Sequence, residues 1–271
     1  MINVGTCGYS YDDWRGVFYP EGAAKKDFLA WYVRHFRCLE LNSSYYAIPS
    51  PALVWNLAER TPDDFEVAVK AFQGITHERN QGAEASLEKF LEAIRPLRES
   101  GKLACVLLQF PNSFHRGQAE MDFLARLIER VQPVTPVVEF RNSAWTGREV
   151  WSWLRGLDAA FCCVDEPAIE GLLPPETVMT STRMGYVRFH GRNAGRWYGH
   201  DDPAERYDYL YTDDELREWV RGIGWLGRQC AETFVMFNNH LNGQAVQNAR
   251  RMRQLLGLGP PSGAEDQQRL I

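Results

Sequence analysis

The chain has 271 residues, 45% hydrophobic and 24% charged, a composition that supplies apolar side chains for one large globular core. Its 30 basic and 35 acidic side chains leave a net charge of −5, so no global basic field draws nucleic acid to the surface. No uninterrupted apolar run of about 18 residues occurs, which argues against a helical membrane span. The start, Met1-Ile2-Asn3-Val4-Gly5, lacks the basic and apolar regions of a signal peptide. The cysteines Cys7, Cys38, Cys105, Cys162, Cys163 and Cys230 show no CxxC spacing and sit mostly in apolar runs. They read as buried free thiols in a reducing cytoplasm.

Eight short β-type runs recur along the chain: Ile2–Cys7, Cys38–Asn42, Phe65–Lys70, Leu103–Phe110, Pro136–Phe140, Ala160–Val164, Gly185–His190 and Thr233–Phe237. They are dense in apolar residues rather than cleanly alternating, as expected of parallel strands covered on both faces. Each is followed by a segment read as helical. The apolar sets Leu87/Phe90/Leu91/Ile94, Phe123/Leu124/Leu127/Ile128, Leu216/Trp219/Val220/Ile223 and Val246/Ala249/Met252/Leu256 have helical spacing. Ser50-Pro51 and Thr61-Pro62 punctuate element edges, and Thr212 to Glu215 reads as a capping box. Gly257-Leu258-Gly259-Pro260-Pro261 stops the last helix. The expected organisation is one (β/α)₈ barrel over residues 1–257 and a flexible polar tail over 258–271. Closure is preferred to an open doubly wound sheet because Gly5-Thr6-Cys7-Gly8 after the first strand is not a dinucleotide fingerprint.

In such a barrel the catalytic groups sit at the C-terminal strand ends. Those ends carry Glu40 and Asn42, Lys70, Gln109, Glu139 and Arg141, Asp165, Arg188 and His190, and Asn238. Side chains two apart on a strand share a face, so Glu40 goes with Asn42, Glu139 with Arg141 and Arg188 with His190. Groups this polar are costly to bury unpaired, and their convergence on one rim favours a functional site over separate salt bridges and core histidines. The loops beyond add Trp14, Arg15, Tyr45 and, in the long seventh loop, Trp197. Aromatic rings mixed with arginines suit a flat polar ligand carrying an anionic group.

These residues carry a resemblance. Gly5-Thr6-Cys7-Gly8-Tyr9, Leu39-Glu40-Leu41-Asn42-Ser43-Ser44-Tyr45-Tyr46, Phe65 through Lys70 with Ile75-Thr76-His77, Leu107-Leu108-Gln109-Phe110-Pro111, Val138-Glu139-Phe140-Arg141, Tyr186 through Gly191 and Phe237-Asn238-Asn239-His240 resemble the YecE-like family, domain of unknown function seventy-two. The likeness spans about residues 1–257 and implies a TIM barrel; the family's biochemical role is not established. The family usually carries serine at the position of Cys7, which weighs against Cys7 as an essential nucleophile.

The leading expectation is an enzyme of hydrolytic or proton-transfer type acting on a small polar, anionic ligand. Lys70 and Arg141 would hold the negative group, Glu139 or Asp165 would act as base and His190 as acid or base. Gln109 and Asn238 would orient the substrate, and Glu40, Asn42 and Arg188 would complete the site. One alternative is a divalent metal held by Glu139, Asp165 and His190 for phosphodiester chemistry, without an HExxH or HxH signature to support it. Another is a barrel that binds nucleic acid without catalysis, which the acidic net charge opposes. A Schiff base on Lys70 is a smaller option.

Overall fold

The computed structural model describes residues 1–259. The expected tail from residue 258 therefore falls almost wholly outside the described residues. Eight parallel strands alternate with helices. The strands are β1 (Ile2–Thr6), β2 (Cys38–Leu41), β3 (Glu66–Lys70), β4 (Leu103–Gln109), β5 (Thr135–Glu139), β6 (Ala160–Asp165), β7 (Met184–Phe189) and β8 (Glu232–Phe237). The helices are α1 (Phe28–Tyr32), α2 (Pro51–Glu59), α3 (Ala83–Ala93), α4 (Arg95–Glu99), α5 (Gln118–Val131), α6 (Arg148–Gly156), α7 (Asp213–Gln229) and α8 (Gln244–Leu255). The strands follow one another in the order β1-β8-β7-β6-β5-β4-β3-β2.

The seam between β1 and β2 closes the cylinder. A parallel bridge joins Cys7 to Glu40, and the Gly8 amide donates to the Glu40 carbonyl at 2.8 Å. Lower down a side chain replaces the missing ladder. The Thr6 amide donates to the Tyr32 hydroxyl at 3.1 Å, and that hydroxyl donates to the Cys38 carbonyl at 3.0 Å. Gly5 permits this approach, because a Cβ there would lie 2.6 Å from the Cys38 carbonyl oxygen.

The helices bury the faces their spacing marks out. Leu124, Leu127 and Ile128 of α5 and Leu216, Trp219 and Ile223 of α7 are buried against the barrel. Ser50 caps α2, and Thr212 and Glu215 form a reciprocal capping box on α7. One expectation fails. The connection between β6 and β7 carries no helix, because Pro167, Pro174 and Pro175 punctuate it and deny a helix its backbone donors. Instead it lies against α7 at Gly222, where a Cβ would meet the Thr177 hydroxyl at 2.1 Å. Among the described residues no helix is long and apolar enough to cross a membrane.

Candidate functional site

Below the C-terminal mouth the barrel interior is polar. Arg188, rising from β7, spans it, donating to Glu139 of β5 at 2.6 Å and to Glu40 of β2 at 2.7 Å. The Tyr186 hydroxyl donates to the second Glu40 oxygen at 2.8 Å. Arg141 donates to Glu139 at 2.6 Å and to Glu166 at 3.1 Å. His190 completes the layer, with Nε2 3.2 Å from Glu139 and Nδ1 3.2 Å from the Asn238 amide. Nε2–H donating to Glu139, with Nδ1 accepting from Asn238 and from the Arg141 guanidinium at 3.3 Å, is the tautomer that satisfies all three partners. Asn42 in turn donates to Asn238 at 3.2 Å.

Burial decides what these groups can do. Glu40, Glu139 and His190 have no solvent-accessible surface, and Arg188 has 1%. Burial alone would raise the Glu139 carboxyl, but Arg188, Arg141 and His190 overcome it and hold the group well below the usual carboxylate range. His190 is pushed far down, first by burial and then by Arg141, so its ring is neutral. Glu166 goes the other way, lifted by burial to about 7 despite Arg141. Removing one partner from a buried ion pair generally costs about 3–5 kcal/mol, because the other charge is left stranded. Glu139 is therefore part of what holds the rim arginines in position, and a carboxylate so stabilised is a weak base.

Above this layer opens a cavity of about 1350 Å³. Of the residues singled out in the sequence, Asn42, Tyr45, Lys70, Gln109, Arg141, Trp197 and Asn238 line it. Glu40, Glu139, Arg188 and His190 lie beneath it. Three stand elsewhere. Asp165 turns outward to α7, where it accepts from Trp219 at 2.6 Å, Tyr211 at 2.7 Å and Arg192 at 2.7 Å. Trp14 is buried in the first loop and donates to the His240 carbonyl at 2.7 Å. Arg15 pairs with Asp12 at 2.6 Å outside the cavity lining. The metal set of Glu139, Asp165 and His190 is therefore not assembled: the first and third touch, and Asp165 faces another layer. Among the described residues no group of three or more His, Cys, Asp or Glu is disposed to hold a metal ion.

Lys70 has a distinctive setting. Its carbonyl accepts from the Ser44 hydroxyl at 2.6 Å, which fixes the end of β3. Its ammonium lies 4.1 Å above the Tyr45 ring and, among the described residues, has no carboxylate or other hydrogen-bond acceptor. Burial, and then the nearby Arg188 guanidinium, pull its pKa down to about 7.

Other residues contribute that the strand-end pattern did not select. His77 sits on a single π-helical turn, Gly74–Glu78, that delivers it to the cavity wall. Burial and the Lys70 charge depress it to about 4, so it too is neutral. The seventh loop folds over the mouth and brings Arg206 and Tyr207. Arg141 from the rim and Arg206 from this loop lie 5.8 and 6.0 Å from the same Trp197 ring, which is 3% exposed. His240 stacks on Tyr11 at 4.6 Å. The charged lining is strongly one-sided: Arg60, Lys70, Arg141 and Arg206 face a lone acid, Asp202.

Parallel strands wrapped into a barrel with helices between them define a TIM barrel, and a cavity lined by cationic and aromatic side chains opens at its C-terminal rim. The chain belongs to the family described as "Protein of unknown function DUF72", which matches residues 3–269. It is 32% identical over 272 residues to UPF0759 protein YunF of Bacillus subtilis, covering 95% of each chain. It is 33% identical over 130 residues to UPF0759 protein YecE of Escherichia coli, 48% of this chain and 44% of that one. A DUF72 family protein of Thermotoga maritima has the same fold, with a TM-score of 0.87 and 38% identity over 95% of this chain and 99% of that one. Another from Enterococcus faecalis gives a TM-score of 0.87 at 26% identity, over 96% and 97% of the two chains.

Proposed function

We propose that the chain is an enzyme of proton-transfer or hydrolytic type whose substrate is a small, ring-bearing compound with an anionic group, bound in the barrel mouth. The observation that carries this reading is the Lys70 ammonium, which faces the cavity and among the described residues makes no ion pair with an acid, in a lining whose described residues include four basic side chains and one carboxylate. An anion supplies the missing acceptor, and charge-assisted hydrogen bonds are the strong ones. Arg141 offers a planar fork already oriented by Glu139 and Glu166. Arg206 approaches the same buried Trp197 from the loop side, so the ligand's charge has cations on either hand, while Tyr45 and Tyr207 in the lining offer its ring an aromatic face.

The proton-handling group in this reading is Lys70 rather than Glu139 or Asp165. A group titrating near neutrality suits acid–base work, whereas Glu139 is locked between arginines and Asp165 faces α7. The six buried free thiols suit a reducing, cytoplasmic compartment.

Calorimetric titration with inorganic phosphate tests the reading. Lys70→Gln is expected to weaken phosphate binding by about tenfold or more, the worth of a hydrogen bond to a charged group, while the melting temperature changes little. Equal affinity in the two proteins would remove the lysine from the site.

A further inference from the structure

Two of the chain's five lysines are not fully exposed, Lys102 buried and Lys70 half-buried, and they are treated in opposite ways. The Lys102 ammonium donates to the Ala58 carbonyl at 2.6 Å and the Thr61 carbonyl at 2.7 Å, closing the C-terminal end of α2. Its donors are used, and its role is architectural. Among the described residues the Lys70 ammonium has no such acceptor. It faces a cavity of about 1350 Å³, with the Tyr45 ring on one side; burial and then Arg188 act against its charge, Glu139 and Glu40 partly offset them, and Arg141 adds to the opposition. The remaining lysines, Lys25, Lys26 and Lys89, are exposed.

An amine held in this way is suited to more than attracting charge. We infer that Lys70 is a nucleophile whose Nζ forms an imine with an aldehyde or ketone bearing an anionic group, and that His77 carries protons for that step. The inference rests on the anion-binding reading above and names its substrate class.

The wall supplies what the step needs. Tyr45 links the two groups: Lys70 lies over its face, and the His77 ring meets it at 4.9 Å and 76°. Thr76 Oγ1, 2.9 Å from His77 Nδ1, fixes the ring and leaves Nε2 for exchange within the cavity. The neutral amine's lone pair forms the N–C bond as the carbonyl π electrons move to oxygen. Both amine protons end on that oxygen, which leaves as water, so nothing is oxidised or reduced and no co-reactant enters. Once Lys70 is the neutral amine, the Lys70 charge that helps depress His77 is gone, and the imidazole can accept one proton and return one, as dehydration of the carbinolamine demands. The lowered pKa of Lys70 supplies the free amine near neutral pH. Protonation of the resulting imine gives an electron sink beside the arginines, through which a neighbouring C–H proton is lost and regained.

The test uses the whole chain and pyridoxal phosphate, an aldehyde with a ring and an anion, followed by borohydride reduction near neutral pH. Peptide mass spectrometry then locates the reduced adduct. Labelling is expected to concentrate on Lys70 over Lys25, Lys26 and Lys89, to be slowed by inorganic phosphate, and to vanish in Lys70→Arg. His77→Gln is expected to slow labelling at Lys70, with the adduct still concentrated on that residue. Label confined to the exposed lysines, in protein whose phosphate binding still depends on Lys70, would overturn the nucleophile and leave the anion site standing. Equal labelling rates in the wild type and His77→Gln would overturn the role of His77. Loss of Lys70-dependent phosphate binding together with label only on exposed lysines would overturn both.

Discussion

Asp165 and Glu166 are neighbours in sequence and opposites in space. Asp165 leaves β6 toward Trp219 of α7, and Glu166 turns into the barrel to meet Arg141. A strand alternates faces, so choosing between adjacent acids needs the register of β6, which an all-apolar run such as Phe161-Cys162-Cys163-Val164 does not reveal. The pairs Glu139/Arg141 and Arg188/His190 were legible because their polar residues are two apart. Their role was not, since burial makes Glu139 a holder of arginines rather than a free base. At the opposite end of the barrel Glu66 lies beside Glu232 and accepts from Asn3. Burial and then Glu232 lift Glu66 from 4.5 to about 8. The folded state thus keeps a proton that the unfolded chain releases, and the stability this supplies is lost as pH rises from 4.5 through about 8. Melting curves across that window should show a declining midpoint in the wild type and a flatter one in Glu66→Gln. Parallel curves would argue against the shared proton.

Strand and helix positions were readable because hydrophobic spacing and caps act locally. All eight strand segments match runs expected from composition, with ends displaced by a residue or so. The β6–β7 connection departs because its prolines outweigh any apolar spacing. The seam between β1 and β2 was hidden for a different reason. It depends on a tertiary contact, the Tyr32 hydroxyl set between Thr6 and Cys38, with Gly5 giving way to β2. Overpacking a close contact commonly costs about 1–3 kcal/mol. Gly5→Ala should therefore lower unfolding stability by about that much in a denaturant titration. Tyr32→Phe leaves the Thr6 amide and Cys38 carbonyl short of a partner and should cost a similar amount. Wild-type stability in both variants would mean the seam is held by other contacts.

At the scale of the whole molecule, closure does what no local feature can: it gathers side chains from residues 42 to 238 around one mouth. That gathering was legible once eight strands were counted, since every strand end must face the same rim. The contribution of His77 was not, because a π-turn leaves no periodic trace, whereas Arg206 and Tyr207 belong to the long aromatic and basic seventh loop that the sequence marks out. The net charge of −5 also concealed the cavity's opposite sign, as most acids lie on the outside or pair within the interior. The most direct measurement is anomalous diffraction from crystals soaked in tungstate, a phosphate-like oxyanion with a strong signal. The predicted result is one dominant peak in the barrel mouth within hydrogen-bond reach of Lys70 Nζ and the Arg141 guanidinium. Peaks confined to the outer surface, with the mouth empty at the same tungstate concentration, would contradict it.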